Sequence, residues 1–276
     1  MFSVVIPLYN KELSISNTIQ SVLNQTFQEF EIVIVNDGST DNSVKEVEKI
    51  DDKRIRLIHQ ENKGVSAARN RGIKEAKYEW IAFLDGDDLW MENHLEEMTK
   101  LIHEYNDCKF FSTSWMNSNL GIKKNKQNDS SLQIKNYFSE MLKRHLVWTG
   151  TVVIHNSIVK KVGLFDAKLA VGEDLEYWAR IAKQYPLVKS NLVTAIYRLE
   201  AENRHDHKPL ELNKSIYPHI KLNKNMSDTV YVYYGRMIIN KMREFVKYRE
   251  WSNFFVLLKI HNYKLLIAIY KYMKIK

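Results

Sequence analysis

Cysteine is almost absent from the 276 residues of this chain: Cys108 stands alone. It allows neither an intrachain disulfide nor a cysteine metal cluster, which favours a reducing compartment such as the cytoplasm. The nine glycines never form the GxGxxG pattern of a dinucleotide-binding loop, so a nicotinamide oxidoreductase is set aside. No run of about 18 uncharged apolar residues occurs, and no transmembrane helix is expected. The opening MFSVVIPLYN lacks a basic stretch leading into a long apolar one. It reads as a strand, and no signal peptide is expected. Residues 1–210 lack a surplus of either charge, with 28 Lys/Arg against 29 Asp/Glu. That balance disfavours a groove for a nucleic-acid backbone, and no nucleic acid is expected as a partner.

Apolar residues make up 45% of the chain, enough for a substantial core. The length suits one large α/β domain over residues 1–210 with an extension over 211–276. The net charge of +8 belongs to that extension, where 13 Lys/Arg face four Asp/Glu. A basic tail suits an anionic partner such as a membrane surface or a phosphorylated acceptor; a solvated basic face is the plainer alternative.

Strand and helix signals alternate over the first hundred residues. Phe2–Leu8, Phe30–Val35, Ile55–Ile58 and Trp80–Leu84 read as strands. Ile15, Ile19, Val22 and Leu23 follow helical spacing, a polar helix is expected over about Asp41–Ile50, and a third over Val65–Ala76. This alternation predicts a Rossmann-like, doubly wound and mostly parallel sheet with right-handed crossovers. Thr151–Ile154 and Val193–Tyr197 read as further strands, Asn117–Ser131 as a polar loop. Ligands of such sheets gather at the carboxyl ends of the strands. The polar groups collect there: Asn10, Asp37 and Asp85 to Asp88.

Four constellations carry chemistry. Asp85-Gly86-Asp87 follows the apolar run WIAFL, with Gly86 read as the residue of a tight turn. Its carboxylates suit Mg²⁺ or Mn²⁺, and such an ion can bridge a diphosphate leaving group; an Asp/Gly turn before a helix at Met91 is the structural alternative. Val35-Asn36-Asp37-Gly38-Ser39 ends another strand, where Asp37 either accepts from a base N–H or caps a helix. Lys63-Gly64 and Ala68-Arg69-Asn70 place a guanidinium on a short helix, for phosphate, an acidic site residue or a surface salt bridge. Gly172-Glu173-Asp174 opens a helix whose dipole favours ionised carboxylates, and sugar transfer to a hydroxyl with inversion needs one such base.

Five segments in order, VIPLYN (Val5–Asn10), VNDGSTD (Val35–Asp41), KGVSAARNRGI (Lys63–Ile73), FLDGDDLW (Phe83–Trp90) and GLFDAKLAVGEDLEYWARIA (Gly163–Ala182), resemble the inverting glycosyltransferases of family 2, of the bacterial polysaccharide and lipooligosaccharide type. The resemblance covers roughly residues 2–200. It implies a GT-A fold and a UDP-sugar donor. It also implies roles: Asp37 on the uracil; Pro7, Tyr9 and Glu12 lining the nucleoside pocket; Lys63 in the third segment beside the donor; Arg69 supporting donor and acidic motif; Asp85 near the ribose; Asp87 on a Mn²⁺ or Mg²⁺ ion; Asp174 as general base with Glu173 assisting. One departure stands out. Many members carry Arg-x-His after the last strand, whereas Tyr197-Arg198-Leu199-Glu200 lacks the histidine; His205 and His207 are the substitutes at hand. Trp148-Thr149-Gly150 and the Asn117–Ser131 loop are expected to set specificity.

Beyond residue 211 the resemblance stops. Phe254–Lys274 reads as one amphipathic helix, with Phe254, Phe255, Leu258, Leu265, Leu266, Ile269, Tyr272 and Met273 on one face and Lys264, Lys271 and Lys274 on the other. Two readings stay open: a peripheral helix on the inner face of the membrane, serving a lipid-linked or other glycan acceptor, or a face packed on the catalytic domain or on a second copy in a homodimer. Two rival functions fit the sequence less well. A nucleotidyltransferase needs a Gly-rich, Lys/Arg-bearing loop where this chain has PLYNKELSI; a catalytically dead nucleotide-sugar binder has no need of both Asp87 and Asp174.

Overall fold

The structure, a computed structural model, describes residues 1–119, 130–202 and 210–275. The first half of the chain runs β1 (Phe2–Leu8), α1 (Ile15–Leu23), β2 (Phe30–Asp37), α2 (Ser43–Glu48), β3 (Ile55–Gln60), α3 (Val65–Glu75) and β4 (Trp80–Phe83). There follow β5 (Leu89–Trp90), α4 (His94–Glu104), β6 (Phe110–Asn117), β7 (Ser131–Ile134), α5 (Tyr137–Lys143), β8 (Val152–His155), α6 (Ser157–Val162), α7 (Glu173–Ala182) and β9 (Leu187–Tyr197). The last described helices are α8 (Asp228–Lys247), α9 (Trp251–His261) and α10 (Lys264–Ile275).

The described strands form one sheet in the order β3-β2-β1-β4-β8-β6-β9-β5, with β7 on β9. β1, β2, β3 and β4 are parallel, and β1 and β2 are almost wholly buried apolar runs, as strands covered on both faces must be. The direction reverses at β8, which pairs antiparallel with both β4 and β6; antiparallel neighbours need no crossover helix. Because Ala82 lies opposite Val153, the turn Thr149–Thr151 ahead of β8 lies beside the carboxyl end of β4.

Two apolar layers sandwich the sheet. One takes Ile15, Ile19 and Val22 of α1 with Leu95, Met98 and Leu101 of α4. The other joins Trp178 and Ile181 of α7 to Tyr233, Ile238 and Phe245 of α8 and to Leu265 of α10. Trp178 is wholly buried, edge-on to Phe83 and Phe165. The extension thus shares a core with the sheet. The single helix read over Phe254–Lys274 is corrected: the chain breaks at Asn262, whose φ of +38° no helix accommodates, and α10 doubles back onto α8.

Candidate active site

Helix α3 organises the strand-end site. Ser66, Arg69 and Asn70 share one of its faces, as spacings of three and four require. The Ser66 hydroxyl donates to the Leu169 carbonyl at 3.1 Å, and Asn70 exchanges two hydrogen bonds of 2.9 Å with the Phe165 backbone. The loop entering α7 is thereby pinned to α3. Between these anchors Arg69, only 4% exposed, donates through Nη1 to Glu173 Oε1 at 2.9 Å and through Nη2 to Asp85 Oδ1 at 2.7 Å. One planar guanidinium, with its fork of donors, ties the end of β4 to the start of α7.

Helix α7 starts where it does because Gly172 takes a left-handed φ of +76°. A Cβ there would also lie 2.5 Å from Ile216 Cγ2, so conformation and space both demand glycine. Asp174 Oδ1 accepts from the Leu175 N–H at 2.7 Å, and the Thr149 hydroxyl is 3.5 Å from Oδ2. Burial, then the neighbouring Asp174 charge, push Glu173 up to about 7 against the pull of Arg69. Burial likewise raises Asp174 above the ordinary aspartate value. Burial opposes the Arg69 charge, but Asp85 and Glu173 outweigh it and hold the guanidinium above its usual range. Two adjacent buried carboxyls sharing one cation retain a proton to higher pH than exposed ones do.

The acidic turn divides its two carboxylates. Asp85 faces Arg69, whereas Asp87 Oδ2 accepts from Lys11 Nζ at 2.6 Å. The same ammonium donates to the Glu202 carbonyl at 2.6 Å, and the Glu202 carboxylate takes the Leu13 N–H at 3.0 Å and the Ser14 hydroxyl. Burial raises Asp87, Lys11 offsets part of that, and Asp85 adds repulsion. Gly86 keeps a negative φ. A Cβ there would sit 3.0 Å from the Pro7 carbonyl, and the Asp88 N–H donates to the Asp85 carbonyl at 3.1 Å, so Gly86 lies in the tight turn expected of it. Among the described residues no three of His, Cys, Asp and Glu gather as a metal cage. A lone hard carboxylate fits Mg²⁺ or Mn²⁺ sharing its shell with substrate phosphates, and does not fit an all-protein metal centre.

The residues expected to line a nucleoside pocket stand at and beyond the ends of β1 and β2. Asp37 Oδ1 accepts from Gln60 Nε2 at 2.7 Å and from the Lys63 N–H at 2.9 Å, and its Oδ2 from the Gly64 N–H at 2.8 Å. Lys63 itself points to solvent, 4.0 Å from Glu61. Glu12 Oε2 accepts from the Asn42 N–H and side chain at 2.8 and 2.9 Å. Tyr9 is 43% exposed, next to Asn10, whose side chain takes the Thr40 N–H at 2.8 Å. His205 and His207 lie outside the described residues, as do residues 120–129 of the expected specificity loop. Lys11 was not legible in PLYNKELSI, where Pro7, Tyr9 and Glu12 stood out and the lysine between them did not; a lysine three residues past a strand end was the available signal.

Residues 3–163 match Glycosyl transferase family 2. An uncharacterized glycosyltransferase of Rickettsia bellii is 35% identical over 184 residues, 66% of this chain but 26% of the relative. Two further Rickettsia relatives are matched over 30% of their length, so the chain spans between a quarter and a third of these proteins. The Escherichia coli UDP-Glc:alpha-D-GlcNAc-diphosphoundecaprenol beta-1,3-glucosyltransferase WfgD is 30% identical over 219 residues, 78% of this chain and 83% of WfgD. The S. aureus TarS fragment 1–349, solved in complex with UDP-GlcNAc, aligns with 98% of this chain and 87% of its own at a TM-score of 0.76 and 20% identity, which shows a shared GT-A fold. A family match over more than half of the residues, and a relative aligned along most of both sequences, establish that this chain belongs to glycosyl transferase family 2.

Proposed function

We propose that this chain is an inverting glycosyltransferase. It moves a hexosyl or N-acetylhexosaminyl unit from a UDP-sugar to a hydroxyl of a glycan or lipid-linked acceptor, in surface-polysaccharide synthesis. The observation that carries this reading is Arg69 held between Asp85 and Glu173. It sets the donor-side acidic turn and the acidic start of α7 on one cation, with Asp174 alongside. Two comparisons support the choice of partners: TarS was solved with UDP-GlcNAc, and the name of WfgD pairs UDP-Glc with a diphosphoundecaprenol acceptor.

Asp37 has three donors on its two oxygens, and Oδ2 carries only one of them; a carboxylate oxygen accepts two, which leaves room for the uracil ring N–H. Pro7, Tyr9 and Glu12 frame the nucleoside, and Asp85 faces the ribose. Asp87 is the ligand for Mn²⁺ or Mg²⁺, which when bound offsets charge on the leaving diphosphate. Asp174 takes the acceptor's hydroxyl proton while that oxygen bonds to the anomeric carbon. The bond from this carbon to the diphosphate oxygen breaks, and its electron pair leaves with UDP. Glu173, fixed by Arg69, orients the base. One displacement with one base inverts the anomeric centre.

Among the described residues no helix is long and apolar enough to cross a membrane. The basic extension suits peripheral attachment to the cytoplasmic face of the membrane, where a lipid-linked acceptor is met. Asp174→Asn tests the assignment: turnover falls about 10²-fold or more, while UDP raises the melting temperature as in the wild type. Unchanged turnover would rule out Asp174 as the base.

A further inference from the structure

Helices α8 and α10 enclose a groove of about 300 Å³ that the transfer site does not use. Val232, Arg236, Ile239 and Arg243 line it from α8, at spacings that put all four on one helical face. Val232 and Ala268 are buried in its floor, while Ile269 on the rim is 45% exposed. The two arginines stand seven residues apart on that face, about 10 Å along the axis, with Ile239 between them and Val232 one turn before Arg236.

Neither arginine of this groove pairs with a carboxylate of the described residues. Arg236 Nη1 donates to the Leu142 carbonyl at 2.5 Å, and the guanidinium lies 5.9 Å from the centre of the Tyr272 ring. This fixes the group while leaving further N–H donors open. Arg243 forms no ion pair with any described residue. Outside the groove, Trp251, Phe255, Tyr263, Leu266 and Met273 are 49–69% exposed. Residues 247–276 carry seven Lys/Arg against the single Glu250. Exposed aromatics and aliphatics among lysines form an interfacial surface. A second copy of so cationic a face is repelled, whereas an acidic bilayer is attracted.

We propose that this groove binds the phosphate headgroup of an anionic phospholipid, with Arg236 and Arg243 on the phosphate and the acyl root on the floor. It thereby seats the extension on the membrane. The inference rests on the peripheral attachment proposed above and names its lipid contact.

The test uses the full chain. Flotation is measured with vesicles of phosphatidylcholine alone and of phosphatidylcholine with an equal part of phosphatidylglycerol. Short-chain, monomeric dihexanoyl phosphatidylglycerol and inorganic phosphate are compared by thermal shift. Wild type binds the acidic vesicles, and the monomeric acidic lipid raises its melting temperature more than inorganic phosphate does. Arg243→Gln, and Arg236→Gln with Arg243→Gln, lose the response to the monomeric lipid, and the double variant binds acidic vesicles about tenfold less tightly. Should the double variant fold poorly, Ile269→Asp on the rim provides the same loss with α8 intact. Lys259→Gln with Lys274→Gln weakens vesicle binding yet keeps the monomer response. Equal protection by inorganic phosphate would overturn the lipid assignment in favour of a free anion. Acidic-vesicle binding indifferent to both arginines would overturn the groove while leaving peripheral attachment standing. No binding to acidic vesicles would remove both.

Discussion

Arg69 and Glu173 stand 104 positions apart in the chain and meet at 2.9 Å, both at least nine-tenths buried. A buried carboxylate deprived of its cation is strongly destabilising. A lysine keeps the charge but cannot reach Glu173 and Asp85 together. Arg69→Lys is therefore expected to lower folding stability by roughly 2–4 kcal/mol, read from the urea midpoint. An unchanged midpoint would show that the bridge contributes nothing to the fold.

The same pair makes stability depend on pH. Glu173 sits near 7 in the folded protein against 4.5 as its reference, so between these values the native state binds more protons than the unfolded one. Its contribution is fully present below about pH 4.5 and is lost as pH rises to about 7, by an amount on the order of 2–3 kcal/mol. The difference in unfolding free energy between Glu173→Gln and wild type, measured from pH 4.5 to 7.5, should move in favour of the variant as pH rises. A flat difference would contradict the raised carboxyl.

Lys11 holds the Asp87 carboxyl below the value that burial alone would set. Lys11→Met raises it further, and a metal-bound carboxylate must be ionised. The pH at which Mn²⁺-dependent UDP binding is half lost should rise in this variant. A midpoint at or below the wild-type pH would argue against Lys11 as the counter-ion of Asp87.

The parts of the fold legible in the sequence share one property: an apolar run that ends in polar residues. Phe2–Leu8, Phe30–Asp37 and Trp80–Phe83 are such runs, and Asp37 and Asp85 stand at their ends. The strand Phe110–Asn117 was hidden, because Ser112, Thr113 and Ser114 interrupt its apolar residues, and the partners that take them up, Thr151 ahead of β8 with Ser190 and Thr194 on β9, lie far along the chain. The Lys11–Asp87 pair was hidden for the same reason, since 76 positions separate its members. Helical periodicity runs on through Asn262, so the break there left no trace in the pattern. Asn262 holds a φ of +38° with ψ of −129°, a region that glycine occupies at least cost. Asn262→Gly should stabilise the protein by up to about 1 kcal/mol, and Asn262→Ala should destabilise it; the reverse order in thermal melts would contradict a tight turn between α9 and α10.

In the proposed UDP-sugar site the metal ion arrives with the diphosphate at Asp87. The most direct test is the melting temperature of the purified chain with UDP, with and without Mn²⁺, in wild type and Asp87→Ala. The expected result is a rise with UDP that requires Mn²⁺, little effect of Mn²⁺ alone, and loss of the Mn²⁺ dependence in the variant. A UDP shift indifferent to Mn²⁺ and to Asp87, or no shift with UDP at all, would contradict it.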